Sequence, residues 1–341
     1  MKNNQSLRHG KLATLALFLS SIVAVLLAAE ISLRLFYPLI SDYDLEMFRY
    51  AAYGKMPGSV PGLSHKHKPG AYFNKLYGVE VKINSNGLRD YEYSFKKPLN
   101  TYRILVLGDS ITFGWGVPFE KVYSKVLESR LNKNGDRVSY QVINAGVGNY
   151  QIKDEVSLLK YEGMKYDPDM IILGYFVDDP KINETPRFFY LKKYSYLYAF
   201  LSAHLNAIKI KLFPEEDYYH YYARLYEPHS KTIDNLFENL SELRSIVEKK
   251  DIPILIVLIP DIHNIRNYPF KGVYKLIVTE FGMCNNANVI DLMPYFDTKI
   301  DPRDYWVTPE DPHHNAEAHR IIAEAIYPEI IKLKGRRTVD R

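Results

Sequence analysis

Two short stretches of this chain hold residue types that can do chemistry together. Gly108-Asp109-Ser110-Ile111-Thr112 follows the apolar run Ile104-Leu105-Val106-Leu107. A short buried strand therefore ends in a tight turn that exposes a serine hydroxyl. Far downstream, Glu310-Asp311-Pro312-His313-His314-Asn315 leads into a helical pattern. A hydroxyl becomes a nucleophile when a base takes its proton, and the base works best when an acid fixes its tautomer. A serine on a strand-to-helix turn, with an acid and a histidine on a late loop, thus supplies the parts of an acyl-transfer site. Spacing alone leaves the pairing open. Asp311 stands two residues before His313 and three before His314, and Glu310 stands three before His313.

Those residues need a scaffold, and the chain beyond Arg103 describes one. Strands are expected at Ile104–Leu107, Tyr140–Asn144, Met170–Gly174, Ile254–Ile259 and about Val289–Leu292. Helices are expected over Glu120–Asn132, over Ile152–Glu162, along the stripe Ile233, Leu236, Phe237, Leu240, Leu243 and Val247, and over Ala316–Leu333 with Asn315 as N-cap. Continuous apolar strands alternating with amphipathic helices imply a parallel sheet covered on both faces. Ligands in such folds sit beyond the carboxyl ends of the strands. Ser110 follows the first strand, Gly146-Val147-Gly148-Asn149 the second, Asp178-Asp179 the third and Asp311–His314 the fifth, so four separated segments converge on one edge. A Tyr-rich insertion, 179–228, interrupts the rhythm. Residues 37–100 read as a spacer and lid, with a hairpin in which Val79–Ile83 turns at Asn86-Gly87.

The four segments resemble the blocks of the GDSL, or SGNH, hydrolase family over residues 101–335. Gly108, Asp109 and Ser110 match the first block, Asn144–Tyr150 the second, Ile171–Asp179 the third, and Asp311, His313 and Asn315 the last. The resemblance implies a three-layer α/β/α flavodoxin-like fold with a five-stranded parallel sheet. It implies Ser110 as nucleophile, His313 as base and Asp311 as acid, with His314 and Glu310 as alternates. The family's histidine sits two residues before the helix cap, and Asn315 in that role favours His313. The implied oxyanion donors are the Ser110 N–H, a backbone N–H at Gly148 or Asn149, and an Asn side chain. Asp178 occupies that last position. An ionised carboxylate repels a developing oxyanion and donates only when protonated. Either activity is reduced, another donor substitutes, or Asp178 has a different role. The resemblance calls for no cofactor and no metal. His319, one turn into the last helix, is expected to be a solvated or packing residue, and His263 a loop residue able to line the cleft.

The remaining features bound the setting. The net charge of +4 is scattered, so there is no nucleic-acid footprint. Cys284 is the only cysteine, which excludes an intramolecular disulfide and a cysteine metal cluster; it is expected as a core thiol at a helix end. Leu12–Ala29 carries no charge, follows Lys2, Arg8 and Lys11, and precedes Asp42, Asp44 and Glu46. A signal-anchor over 12–36 with a cytoplasmic tail 1–11 is expected. That makes a single-pass inner-membrane protein whose catalytic domain is extracytoplasmic or periplasmic. A signal peptide cleaved near Ala28 and Ala29, or a buried soluble helix, are the competing readings. The expected function is a serine esterase or O-acyltransferase acting on acyl esters, with O-acetyl groups of cell-envelope or exported polysaccharide as substrate. A lipid esterase, or an impaired glycan-binding or scaffold protein, are the alternatives. The expected partners are an acylated glycan or lipid substrate and, through the N-terminal helix, the membrane, with no nucleic acid; the sequence leaves protein partners open.

Overall fold

The computed structural model describes residues 2–36, 43–133, 137–182, 194–212, 218–270, 272, 274–282 and 287–339. Cys284 lies outside the described residues. The chain divides into two compact units, one of residues 1–52 with 185–215 and one of 53–184 with 216–341.

In the larger unit β1 (Lys55–Pro57) pairs with β2 (His65–His67), and β3 (Tyr72–Leu76) with β4 (Val79–Lys82). A parallel sheet follows, made of β5 (Thr101–Gly108), β6 (Ser139–Asn144), β7 (Met170–Tyr175), β8 (Ile254–Leu258) and β9 (Ala287–Asp291) in the order β6-β5-β7-β8-β9. With strands counted along the chain this is 2-1-3-4-5, the flavodoxin-like order. The three inner strands are nearly all buried on both faces, which is why they read as unbroken Ile, Leu and Val runs. Helices Tyr123–Asn132 and Ala316–Val339 pack together, as do Ile152–Tyr161 and Lys231–Lys250. Helix Lys231–Lys250 starts at Ser230, whose hydroxyl accepts from the Ile233 N–H, and buries Leu236, Leu240, Leu243 and Val247 along one stripe. An antiparallel pair, β10 (Trp306–Thr308) and β11 (Asp311–His314), precedes the last helix. Asn315 caps that helix, its Oδ1 accepting from the N–H groups of Glu317 and Ala318.

Two expectations need correction. The hairpin turns at Tyr77-Gly78, not at Asn86-Gly87. Both turn residues have positive φ, 48° and 88°, as a two-residue turn that matches strand twist requires. Asn86-Gly87 instead belongs to a loop folded around Asn84, whose Oδ1 accepts from the N–H groups of Asn86 and Leu88. Nor do residues 53–100 form a detached spacer. Leu63 and Leu88 join the main core, and Arg89 is buried, donating to the carbonyls of Phe113, Gly114 and Val117. The insertion 179–228 divides as well, since 185–215 falls in the smaller unit and 218–228 in the larger.

In the smaller unit a helix spans Lys2–Phe36. Its segment Lys11–Phe36 is long and apolar enough to cross a membrane, and its side chains are exposed except at Ala29, Glu30 and Leu33, which are half-buried.

Candidate active site

Ser110 stands where β5 gives way to the short helix Ser110–Phe113. Asp109 caps that helix, its Oδ1 accepting from the Ile111 N–H at 2.8 Å. Gly108 has φ 153°, and a Cβ there would meet Thr112 Oγ1 at 2.0 Å. The turn is thus closed by a glycine before the nucleophile and by Arg89 after it, where the guanidinium takes the carbonyls that end the helix.

Ser110 Oγ lies 2.9 Å from His313 Nε2, and His313 Nδ1 lies 2.5 Å from Asp311 Oδ1. The same carboxylate oxygen accepts from the His313 N–H at 3.1 Å, an Asx turn that locks the ring to the acid. The other oxygen accepts from Trp115 Nε1 at 2.9 Å. Trp115 is buried and stacks on Tyr77 from the hairpin turn. Along β10–β11 the pairs Trp306↔His314 and Thr308↔Asp311 are one residue out of step. Pro312 and His313 therefore face Val307 alone. Pro312 has no N–H for the ladder, and such a bulge re-aims a side chain.

The alternates lie elsewhere. His314 is buried, with Phe296 edge-on to its ring, and burial with His319 and His313 nearby lowers its pKa to about 3. Glu310 is exposed. His319 is buried rather than solvated, its Nδ1 accepting from the Tyr123 N–H and its ring stacked on Tyr123. His263 forms a second imidazole–carboxylate pair, Nδ1 to Asp261 Oδ1 at 3.0 Å, flanked by the rings of Tyr218 and Trp306.

The segment after β6 is tied to the serine turn. Asn144 Nδ2 donates to Thr112 O, and the Val147 N–H to Gly108 O. A Cβ on Gly146 would lie 2.4 Å from Phe113 N, so only glycine lets the two backbones approach. The Gly148 carbonyl accepts from Lys55 Nζ and from His65 Nε2. In a planar trans peptide the carbonyl and the following N–H point in opposite directions. Two donors on Gly148 O thereby set the direction of the Asn149 N–H, and Asn149 itself has φ 65°. Burial lowers Lys55 to about 7 despite Asp154, and burial with Lys55 nearby lowers His65 to about 3. His65 is thus neutral, with Nε2–H as donor and Nδ1 accepting from Ser64 Oγ.

After β7 the chemistry changes. Asp178 Oδ2 accepts from Lys181 Nζ at 3.0 Å, while Asp178 Oδ1 is buried with no hydrogen bond among the described residues. Burial alone would lower the Lys181 ammonium, but Asp178 and Tyr222 hold it above its usual range. Next to Asp178, Asp179 and Glu155 are fully buried. Both Glu155 oxygens and Asp179 Oδ1 lack partners among the described residues. Burial first, then repulsion led by Asp109 on Glu155 and by Glu155 on Asp179, raises both well above the usual carboxylate range. Burial and Asp178 push Asp109 up to about 7.

Sequence reasoning missed Lys55, His65, Arg89, Trp115, Glu155 and Lys181. Lys181 alone left a local signal, a cation three residues after an out-of-place carboxylate.

No protein-family model and no curated protein matches the chain. Among solved structures it is similar to a two-domain esterase active on acetylated mannans, at 17% identity over 69% of this chain and 50% of that one, with a TM-score of 0.42. The chain thus matches about half the length of that esterase. It is similar to an acetyl xylan esterase at 18% identity over 67% of this chain and 99% of the other, with a TM-score of 0.43. It is also similar to a lipolytic protein of the G-D-S-L family from Desulfitobacterium hafniense, at 15% identity over 66% and 98%, with a TM-score of 0.39. These likenesses are loose, and the case for the site stands on its own geometry.

Proposed function

We propose that this chain is a membrane-anchored serine esterase or O-acyltransferase. The observation that carries the reading is the unbroken relay from Ser110 Oγ through His313 to Asp311 and Trp115. His313 Nε2 takes the Ser110 proton as Oγ attacks an ester carbonyl. Asp311 holds the Nδ1–H tautomer and stabilises the imidazolium that forms. The collapsing tetrahedral intermediate expels the alcohol, which receives the proton from His313 and leaves an acyl-Ser110. Water or an acceptor hydroxyl then takes the acyl group by the same steps in reverse order. Among the described residues no acceptor takes the Ser110 N–H, so it is available to the oxyanion, and the N–H of Asn149 is the proposed second donor.

The proposed substrate is an O-acetylated polysaccharide of the cell envelope or an exported one. Two features support it. The uncharged span with its basic N-terminal flank supports an inner-membrane anchor with the site outside the cytoplasm. Tyr218, Tyr222, His263 and Trp306 form a ring cluster beside the strand pair that carries His313, a surface able to stack on sugar rings. One observation favours a second reading, a glycan-binding protein with a weakened centre: the Asp178 carboxylate stands where a neutral amide donor is expected.

A fluorophosphonate probe distinguishes the two. Covalent labelling of the wild type, absent in Ser110→Ala, with acetyl-ester turnover lost in the same variant, is the expected result. A wild-type protein that neither labels nor turns over esters, yet binds acetylated glycan equally well with Ser110→Ala, overturns the enzyme reading.

A further inference from the structure

The smaller unit contains an apolar surface that the esterase reading leaves unused. Helix Tyr196–Leu212 has the sequence YLYAFLSAHLNAIKIKL. Tyr196 and Ala199 are buried against Leu45 and Phe48, with Leu33 and Phe200 packed around them. At the i, i+4, i+7 spacing of a single helix stripe, Leu201, Leu205 and Ile208 are 44%, 63% and 53% exposed. They lie on the side of the helix opposite Tyr196 and Ala199. A stripe of that kind in water loses the benefit of burial.

The helix is fastened to the end of the N-terminal span. Glu30 accepts from Ser195 Oγ and from the N–H groups of Tyr196 and Leu197, so its carboxylate caps the helix start. Arg34 pairs with Glu30, donates to Tyr194 O and lies over the Tyr196 ring. Leu12–Ala29 rises about 27 Å as a helix, close to the thickness of a bilayer core. Glu30 is the next residue, so the cap sits at the boundary between acyl chains and headgroups. Tyr194, Tyr196 and Tyr198 lie at the helix start, the residue type that favours this depth.

We propose that helix Tyr196–Leu212 is a second membrane contact, lying in the headgroup–acyl boundary of the bilayer that Leu12–Ala29 crosses and burying Leu201, Leu205 and Ile208 in lipid. The inference rests on the anchor reading above and extends it. The chain then grips the membrane twice, once across and once along the surface. The occupant of the stripe is phospholipid, because the helix that bears it is fastened by Glu30 and Arg34 to the end of the span, at lipid depth.

Spin labels on the full chain in anionic phospholipid nanodiscs test this. Cys284→Ser leaves a background without cysteine, into which Ser20→Cys, Leu205→Cys or Ile208→Cys is introduced one at a time. Ser20 lies inside the span and reports on the anchor. The expected result is oxygen accessibility above that of a water-soluble nickel chelate at all three positions. Labels at 205 and 208 should read about 5–10 Å below the headgroup level, and the label at 20 deeper. A label at 20 in lipid with 205 and 208 open to the chelate overturns the inference and leaves the anchor standing. A label at 20 open to the chelate overturns the anchor and the inference together. Immobilised, dipole-broadened labels at 205 and 208 would show a second copy covering the stripe, which also overturns it.

Discussion

The two flanks of Ser110 are built on opposite principles. Toward His313 every polar side-chain atom of the Asp311–His313 pair has its partner. The two oxygens of Asp311 take Trp115 Nε1, His313 N–H and His313 Nδ1, and Nε2 is left to the serine. Toward Asp178 the partners run out. Asp109, Glu155, Asp178 and Asp179 crowd together, three of them with oxygens that accept nothing among the described residues, and Lys181 is the cation paired with Asp178. A satisfied network fixes geometry, whereas an unsatisfied buried carboxylate stores free energy that proton uptake or a ligand donor can release. The first flank is therefore the expected place for chemistry common to any ester, and the second for whatever distinguishes this chain.

The largest expected effect tests the satisfied flank. His313→Ala removes the base and should lower kcat/KM by about a million-fold, the scale for losing the central member of such a relay. His314→Ala removes a ring buried against Phe296 and should destabilise the fold by about 1–3 kcal/mol while leaving kcat within about tenfold. Steady-state acetyl-ester hydrolysis with thermal melts separates the two. A dead His314→Ala with an active His313→Ala would reverse the assignment.

The next effect tests the crowded flank. Lys181→Met leaves the Asp178 carboxylate uncompensated near the developing oxyanion and should cost about a hundred- to a thousand-fold in kcat. Asp178→Asn removes the charge to be compensated, so Lys181→Met on that background should cost little. The strongly non-additive cycle is the signature of direct coupling. Additive losses would mean that Lys181 acts away from Asp178.

The smallest effect is on stability. Asp109 sits at about 7 in the fold, against an ordinary 3.8, and Glu155 and Asp179 are raised in the same direction. Between those values the folded state holds more protons than the unfolded one. The stability contributed is complete below pH 4 and is lost as pH rises through about 7. Asp109→Asn keeps the cap on Ile111 and should flatten that decline by up to one proton, about 1.4 kcal/mol per pH unit. Melting midpoints in detergent from pH 4 to pH 7 measure it, and an unchanged slope would show that Asp109 does not titrate there.

The same contrast explains what could be read in advance. The three inner strands fall on their Ile, Leu and Val runs because a strand buried on both faces leaves no polar position to confuse the pattern, whereas half-buried β9 starts two residues before the expected Val289. Ser110, His313 and Asp311 were legible because each sits at the end of a regular element, where a short string of residue types is distinctive. Trp115, Lys55, His65 and Arg89 were not. A lone tryptophan or arginine has no spacing to mark it, and each acquires its role only when the sheet brings distant segments together. The hairpin was misplaced because Asn86-Gly87 is the stronger turn dipeptide, while Tyr77-Gly78 won through the pairing of β3 with β4.

The Ser110–His313 hydrogen bond joins residues 203 positions apart. At about 5–20 residues per second of synthesis, the serine emerges roughly 10–40 s before its base exists. Through that interval the nascent chain carries a hydroxyl with no imidazole to activate it and no acid to orient one. The proposed esterase is thus silent, without any inhibitor, until the segment that carries Asp311 and His313 has been delivered.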